Sequence, residues 1–132
     1  MYRYILPIAA ALLSVSPAVA QTFRAENRVI VTPVTDGFVI TSGGDHGAMG
    51  MWCAAADYAR KVLGAAGTDR IYISQGRNPG LGQRGPVRFS MDGSGLRSKP
   101  VVVVGASLSE PGSNLSVDHA YQFCTSARLP SR

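Results

Sequence analysis

The chain has 132 residues, 45% of them hydrophobic and 16% charged, a length and composition that suit one small folded domain and leave no room for two. Its formal net charge of +5 comes from 13 basic and 8 acidic residues scattered along the sequence, so the clustered basic stripe of a nucleic-acid groove is absent and no nucleic-acid partner is expected. No internal repeat and no low-complexity tract interrupts it.

At the N-terminus Arg3 precedes an apolar run from Ile5 to Leu13, followed by Pro17 and the small-x-small sequence Ala18-Val19-Ala20. This is the pattern of a secretory signal peptide, with cleavage expected after Ala20. The run is too short to cross a bilayer core of about 30 Å as a helix, and no Cys stands at the cleavage site to accept a lipid. Residues 1–20 are therefore read as the signal and residues 21–132 as one exported domain with no transmembrane segment, placed in the periplasm or secreted. An uncleaved anchor is the rival reading.

From Phe23 to Val34 the chain reads as extended, with Val29-Ile30-Val31 as a β-branched run. Thr35-Asp36-Gly37 makes a turn into Phe38-Val39-Ile40-Thr41, which predicts a hairpin. Pro33 has no N–H to give a ladder and belongs on an edge or at a strand end. Ser42 to Gly47 is a glycine-rich connection.

The main helix is predicted over about 49–65. Met51, Ala55, Tyr58, Ala59 and Val62 recur at spacings of three and four and line one face, with Asp57, Arg60 and Lys61 on the other. Arg60 and Lys61 suit the negative end of the helix dipole, and Gly64 or Gly67 can take a left-handed cap. Asp45 is the candidate N-cap, while Gly47 and Gly50 each weaken an early turn by roughly 1 kcal/mol relative to Ala. Ala54, Ala55, Ala56 and Ala59 allow close approach to a sheet, and Trp52 supplies bulk at the edge of that surface.

Beyond the helix, Ile71-Tyr72-Ile73 reads as a short strand, Gly76 to Pro86 as a loop, Val87 to Met91 as an alternating strand and Asp92 to Gly95 as a turn. Val101 to Val104, four apolar β-branched residues after Pro100, reads as a strand buried on both faces. Leu108 to Asn114 is polar and turn-rich. A C-terminal helix is preferred over 116–124, with Ser116 as cap, Asp118 in the first turn and Val117, Ala120, Tyr121 and Cys124 on one face. A strand using Val117, His119, Tyr121 and Phe123 is the rival, and the tail after Cys124 is expected to be loose. The order of elements predicts an α+β fold: a small, mostly antiparallel sheet of about five strands with the main helix on one face and a short C-terminal helix.

Two Cys residues in a small exported chain allow one connectivity, Cys53–Cys124, and a bridge closing so long a loop stabilises by about 4 kcal/mol on the chain-entropy estimate. There is no C-x-x-C motif to favour a redox pair. Gly80-Leu81-Gly82-Gln83-Arg84-Gly85 matches G-x-G-x-x-G, yet Pro86 and a strand follow where a phosphate-binding helix N-terminus is required, so no cofactor is expected. Arg77, Arg84 and Arg88, on or beside this loop, are candidate contacts for an anionic group such as a carboxylate or an envelope phosphate.

The two His residues each follow an Asp, as Asp45-His46 and Asp118-His119, and form a candidate Zn or Cu site if the disulfide brings them together. Neither G-x-S-x-G nor S-x-x-K occurs, and Asp36, Asp57 and Asp92 are carboxylates without a pairing signal. The expected function is a non-enzymatic binding or structural module of the cell envelope, its partner an envelope protein or an anionic envelope component. The alternative is a small periplasmic metal-binding protein or hydrolase using His46 and His119.

Overall fold

The computed structural model describes residues 21–78 and 85–128. The predicted signal peptide, most of the glycine-rich loop with Arg84, and the last four residues lie outside them.

The strands are β1 (Phe23–Arg24), β2 (Ile30–Val34), β3 (Gly37–Ile40), β4 (Arg70–Gln75), β5 (Val87–Ser90), β6 (Lys99–Pro100) and β7 (Ser113–Ser116). They form one sheet in the order β1-β2-β3-β5-β4-β7-β6, seven strands rather than five, antiparallel throughout except where β6 runs parallel to β7. The helices are α1 (Gly47–Lys61), α2 (Val104–Ser107), α3 (Val117–Gln122) and α4 (Cys124–Arg128). This is the expected α+β architecture, with extra short strands at both edges of the sheet.

Alternation along the strands decides which face is covered. Val31, Phe38, Ile40, Ile71, Ile73, Val87, Phe89 and Leu115 turn inward and are buried. Tyr58 of α1 sits 4.7 Å from the Phe38 ring and Trp52 meets Phe89 edge-on at 5.3 Å, so the helix lies on that face through its aromatic residues. The alanines between them let it approach closely.

The predicted extended segment from Phe23 breaks at residues 25–29. Arg28 adopts a left-handed conformation, and the Ala25 and Val29 backbones close a turn at 2.9 Å that folds β1 back on β2. The following hairpin has Asp36, also left-handed, at its tip, and pairs Val34 with Gly37. Pro33 pairs with Phe38 on one side, while β1 reaches only Ile30 and Val31 on the other, so its missing N–H faces an open edge.

The main helix is displaced from its predicted bounds. It starts at Gly47, capped by His46 without a side-chain bond, because Gly44 and Gly47 both take positive φ and turn Asp45 into a separate 3-10 turn. Asp45 is therefore not its N-cap. At the other end Gly64 reverses the chain at φ 64 and Ala65 N–H returns to the Ala59 carbonyl at 2.9 Å, which stops the helix at Lys61. Val62, assigned to the buried face, is exposed, whereas Asp57, assigned to the solvent face, is completely buried. The reason is that α1 is covered on more than one side: α3, α4 and the residue 25–27 turn pack around the face away from the sheet. Trp52 likewise lies wholly inside rather than at an edge, its indole N–H donating to Ser107 Oγ at 3.0 Å.

The largest correction concerns Val101 to Val104. Only Lys99 and Pro100 join the sheet; Val102 is 89% exposed, and Val104 opens α2. The apolar run loses the interior to residues 107 and 108, since Ser107 must meet the Trp52 indole and Leu108 is fully buried. The stretch read as merely turn-rich supplies β7, which inserts between β4 and β6. The C-terminal helix appears as α3, with Ser116 Oγ accepting the His119 N–H at 3.1 Å as its cap. Of the tail expected to be loose after Cys124, residues 125–128 belong to α4, with Arg128 Nε donating to a Glu26 carboxylate oxygen, and residues 129–132 lie outside the described residues.

Candidate functional site

Residues of the sheet that alternate with the core positions face outward, and among the described residues no helix covers this outer face. Toward the end of the sheet bearing the β2–β3 turn, it opens into a cavity of about 800 Å³. Ser74, Gln75, Arg88 and Ser90 from β4 and β5 contribute its polar floor. The hairpin residues Val34, Asp36 and Gly37 form one wall, and Met91, Asp92, Ser94 and Leu96 of the connection after β5 form another. Phe38, Tyr58 and Leu63 add an apolar end.

The geometry rests on close backbone packing. A Cβ on Gly37 would lie 2.2 Å from the Phe89 carbonyl oxygen, so only glycine permits the hairpin to turn over the β5 ladder at that point. Gly93 lies against the Tyr72 ring, where a Cβ would stand 2.6 Å from the ring carbon Cζ, and this contact seats the 91–96 connection on the outer face.

Electrostatically the cavity is mixed. It holds one guanidinium, Arg88, and two carboxylates, Asp36 and Asp92. Hydrogen bonding from Ser94 holds the Asp92 carboxyl below its ordinary range, so it is an anion at neutral pH. Burial raises the Tyr58 phenol above its ordinary value and keeps it neutral. The hydroxyls are engaged structurally: Ser74 Oγ donates to the Arg88 carbonyl at 3.2 Å, and Ser90 Oγ accepts the Asp92 N–H at 3.0 Å. Among the described residues no His or Cys lines the cavity, so none of its three serines, Ser74, Ser90 and Ser94, has an imidazole base beside it.

The residues singled out by sequence are distributed differently. Cys53 and Cys124 are bonded, Cα to Cα 4.9 Å, joining the middle of α1 to the start of α4. Arg88 lines the outer cavity, whereas the Arg77 guanidinium reaches Met51 Sδ at 4.0 Å on the helix side of the sheet. The two are therefore not companions in one anion cradle, and Arg84 lies outside the described residues. Asp45 and His46 are exposed at the start of α1. Asp118 and His119 are exposed at the other end, where Asp118 N–H donates to the Gly67 carbonyl at 3.0 Å just past the C-terminus of α1. At about 1.5 Å per residue, the helix separates the two Asp-His pairs by roughly 20 Å. Among the described residues no group of three or more His, Cys, Asp or Glu is arranged to hold a metal ion.

Sequence reasoning missed most of the cavity. The alternation of buried Ile71, Ile73, Val87 and Phe89 with Tyr72, Ser74, Arg88 and Ser90 was a usable signal that polar residues share one face. Nothing local showed that Tyr58 and Leu63, from the helix and its end, would close the cavity. In comparisons with known proteins, no family model, no curated protein and no solved structure matches this chain.

Proposed function

We propose that the protein is an exported, disulfide-stapled binding module of the cell envelope, and that the cavity around Arg88 takes an extended polypeptide segment of an envelope partner. The observation that carries this reading is the composition of the cavity: apolar surface from Leu63, Met91 and Leu96 beside a guanidinium and two carboxylates. A polypeptide offers backbone amides, apolar side chains and both signs of charge, and so can match each part of that lining. A purely anionic lipid or glycan would meet Arg88 but be repelled by Asp36 and Asp92. Ser74 and Ser90 are committed to backbone contacts and Ser94 to the Asp92 carboxylate, and none has an imidazole beside it, which favours binding over acyl transfer. Export rests on the residue 1–20 pattern and agrees with a bridged Cys53–Cys124 pair.

The test is capture from envelope extract with the oxidised protein as bait, comparing wild type with Arg88→Glu and Ser94→Arg, the latter at an exposed position of the cavity wall. A polypeptide retained by wild type and lost with both variants supports the reading. Retention unaffected by either substitution, or binding only to anionic lipid or glycan that vanishes at high salt, overturns it.

A further inference from the structure

The cavity around Arg88 holds one polar group that the fold does not use. Tyr58 is 4% exposed, its ring set edge-on to Phe23 at 5.6 Å and tilted against Phe38 at 4.7 Å between centroids. The ring alone supplies that packing, and a phenylalanine would supply it equally. The hydroxyl makes no hydrogen bond among the described residues, yet its oxygen is not sealed in. Because Tyr58 lines the Arg88 cavity, its remaining access opens there. A hydroxyl so nearly enclosed gives up most of its water for nothing within the fold, a loss that an acceptor on a ligand can make good.

On the reading of this cavity as a polypeptide site, we infer that the Tyr58 hydroxyl donates to a main-chain carbonyl within an apolar stretch of the bound segment, so that Tyr58 selects what binds. Three observations fix that chemistry. The phenol is raised by burial and stays protonated at neutral pH, so it offers a proton. Beside it in the lining stand Pro33 and Leu63, the latter 48% exposed, which present hydrocarbon to whatever flanks the acceptor. The hairpin wall that continues from Pro33 carries the Asp36 carboxylate, which has no ion pair among the described residues. A charged acceptor would meet that repulsion, and a neutral peptide carbonyl does not. Arg88, whose guanidinium likewise forms no ion pair among the described residues, sits across the sheet from Tyr58: it pairs with Val39 in the outward row, whereas Tyr58 packs on inward Phe38. Packed layers lie about 10 Å apart and an extended chain advances about 3.3 Å per residue. A segment that reaches both therefore carries one acidic residue, for Arg88, about three positions from an apolar one.

Fluorescence anisotropy of the purified, oxidised chain with two blocked, fluorescein-tagged hexapeptides tests this. The probes, Ala-Glu-Ala-Ala-Leu-Ala and Ala-Leu-Ala-Ala-Glu-Ala, hold the acid and the apolar side chain three positions apart in either direction. One of them should bind with a dissociation constant between about 10 µM and 1 mM, and replacing its Glu by Gln or its Leu by Ser should weaken it. Tyr58→Phe should weaken that binding about fivefold or more, with a melting temperature unchanged or raised, since the hydroxyl makes no bond within the fold. Arg88→Glu should weaken the Glu-bearing probe and barely affect its Gln counterpart. Binding that is lost with Arg88→Glu but indifferent to Tyr58→Phe overturns the role of Tyr58 and leaves the polypeptide reading standing. Failure of both probes to bind the wild type overturns the inferred segment, while capture from envelope extract still judges the wider reading by itself. A lower melting temperature for Tyr58→Phe would show the hydroxyl bonded inside the fold and overturn the inference as well.

Discussion

The Asp57 carboxylate, with no exposed surface, meets the Lys61 ammonium at 2.9 Å one helical turn further along, while its other oxygen accepts the Glu26 backbone N–H at 2.9 Å. One buried acid thus pins the N-terminal turn to the helix, and Lys61 carries the compensating charge out to solvent.

Removing one member of a buried pair costs about 3–5 kcal/mol, and the solvent access of Lys61 places this case at the lower end. Asp57→Ala should therefore lose about 3 kcal/mol of stability in chemical denaturation. Asp57→Asn, which keeps an acceptor for the Glu26 amide, should lose clearly less. Equal losses for the two would show that the hydrogen bond to Glu26 contributes nothing.

Glu26 closes a second network: Tyr121 Oη donates to Oε2 at 2.7 Å and Arg128 Nε to Oε1 at 3.0 Å. Burial raises its carboxyl, but the hydrogen bonds from Tyr121 and Arg128, then the nearby positive charges, outweigh it and the net displacement is below 4.5. A carboxylate depressed in the folded state adds stability that is complete above its unfolded value and disappears as pH falls through the folded one. Melting temperature should accordingly drop as the solution is acidified below about pH 4.5. In Glu26→Gln that part of the acid limb should flatten; an identical acid profile would remove Glu26 from the account.

The bridge between Cys53 and Cys124 spans 71 residues of sequence, for which loop-closure entropy predicts about 4 kcal/mol. Cys53→Ser or full reduction should lower the melting temperature sharply. Thiol titration of the natively produced protein under denaturing, non-reducing conditions should find none.

Gly50→Ala separates local from tertiary preference. Helix propensity alone would reward the change by about 1 kcal/mol. The new Cβ would lie 2.0 Å from the Gly43 carbonyl oxygen, so a net destabilisation of about 1–3 kcal/mol is expected. Gly105→Ala, where nothing lies within 4 Å, is the control and should be close to neutral. Stabilisation by Gly50→Ala would mean that the glycine connection packs elsewhere.

Trp52 is the only tryptophan, wholly buried, and its N–H depends on Ser107. Ser107→Ala should cost about 1–3 kcal/mol by leaving that donor unmet. Fluorescence should report a buried indole in the wild type and cooperative loss on unfolding.

The sequence by itself determined the features that depend on neighbours along the chain. Three- and four-residue spacing places α1 and α3, the Asp36-Gly37 turn sets the hairpin, Ser116 caps its helix, and two cysteines leave one pairing. Each is decided within a turn or two of backbone, or by counting. Tertiary structure alone decided which apolar residues win the interior. Val101 to Val104 has the strongest strand character in the chain yet lies at the rim, because the space beneath is taken by Leu108 and by the Ser107 hydroxyl that the Trp52 indole requires. Asp57 reads as a surface residue on a helical wheel, but two helices and a folded-back N-terminus close over it. The cavity at Arg88 has the same origin: its walls come from segments more than fifty residues apart in the chain, joined only when burial of the opposite sheet face fixes where each strand must lie.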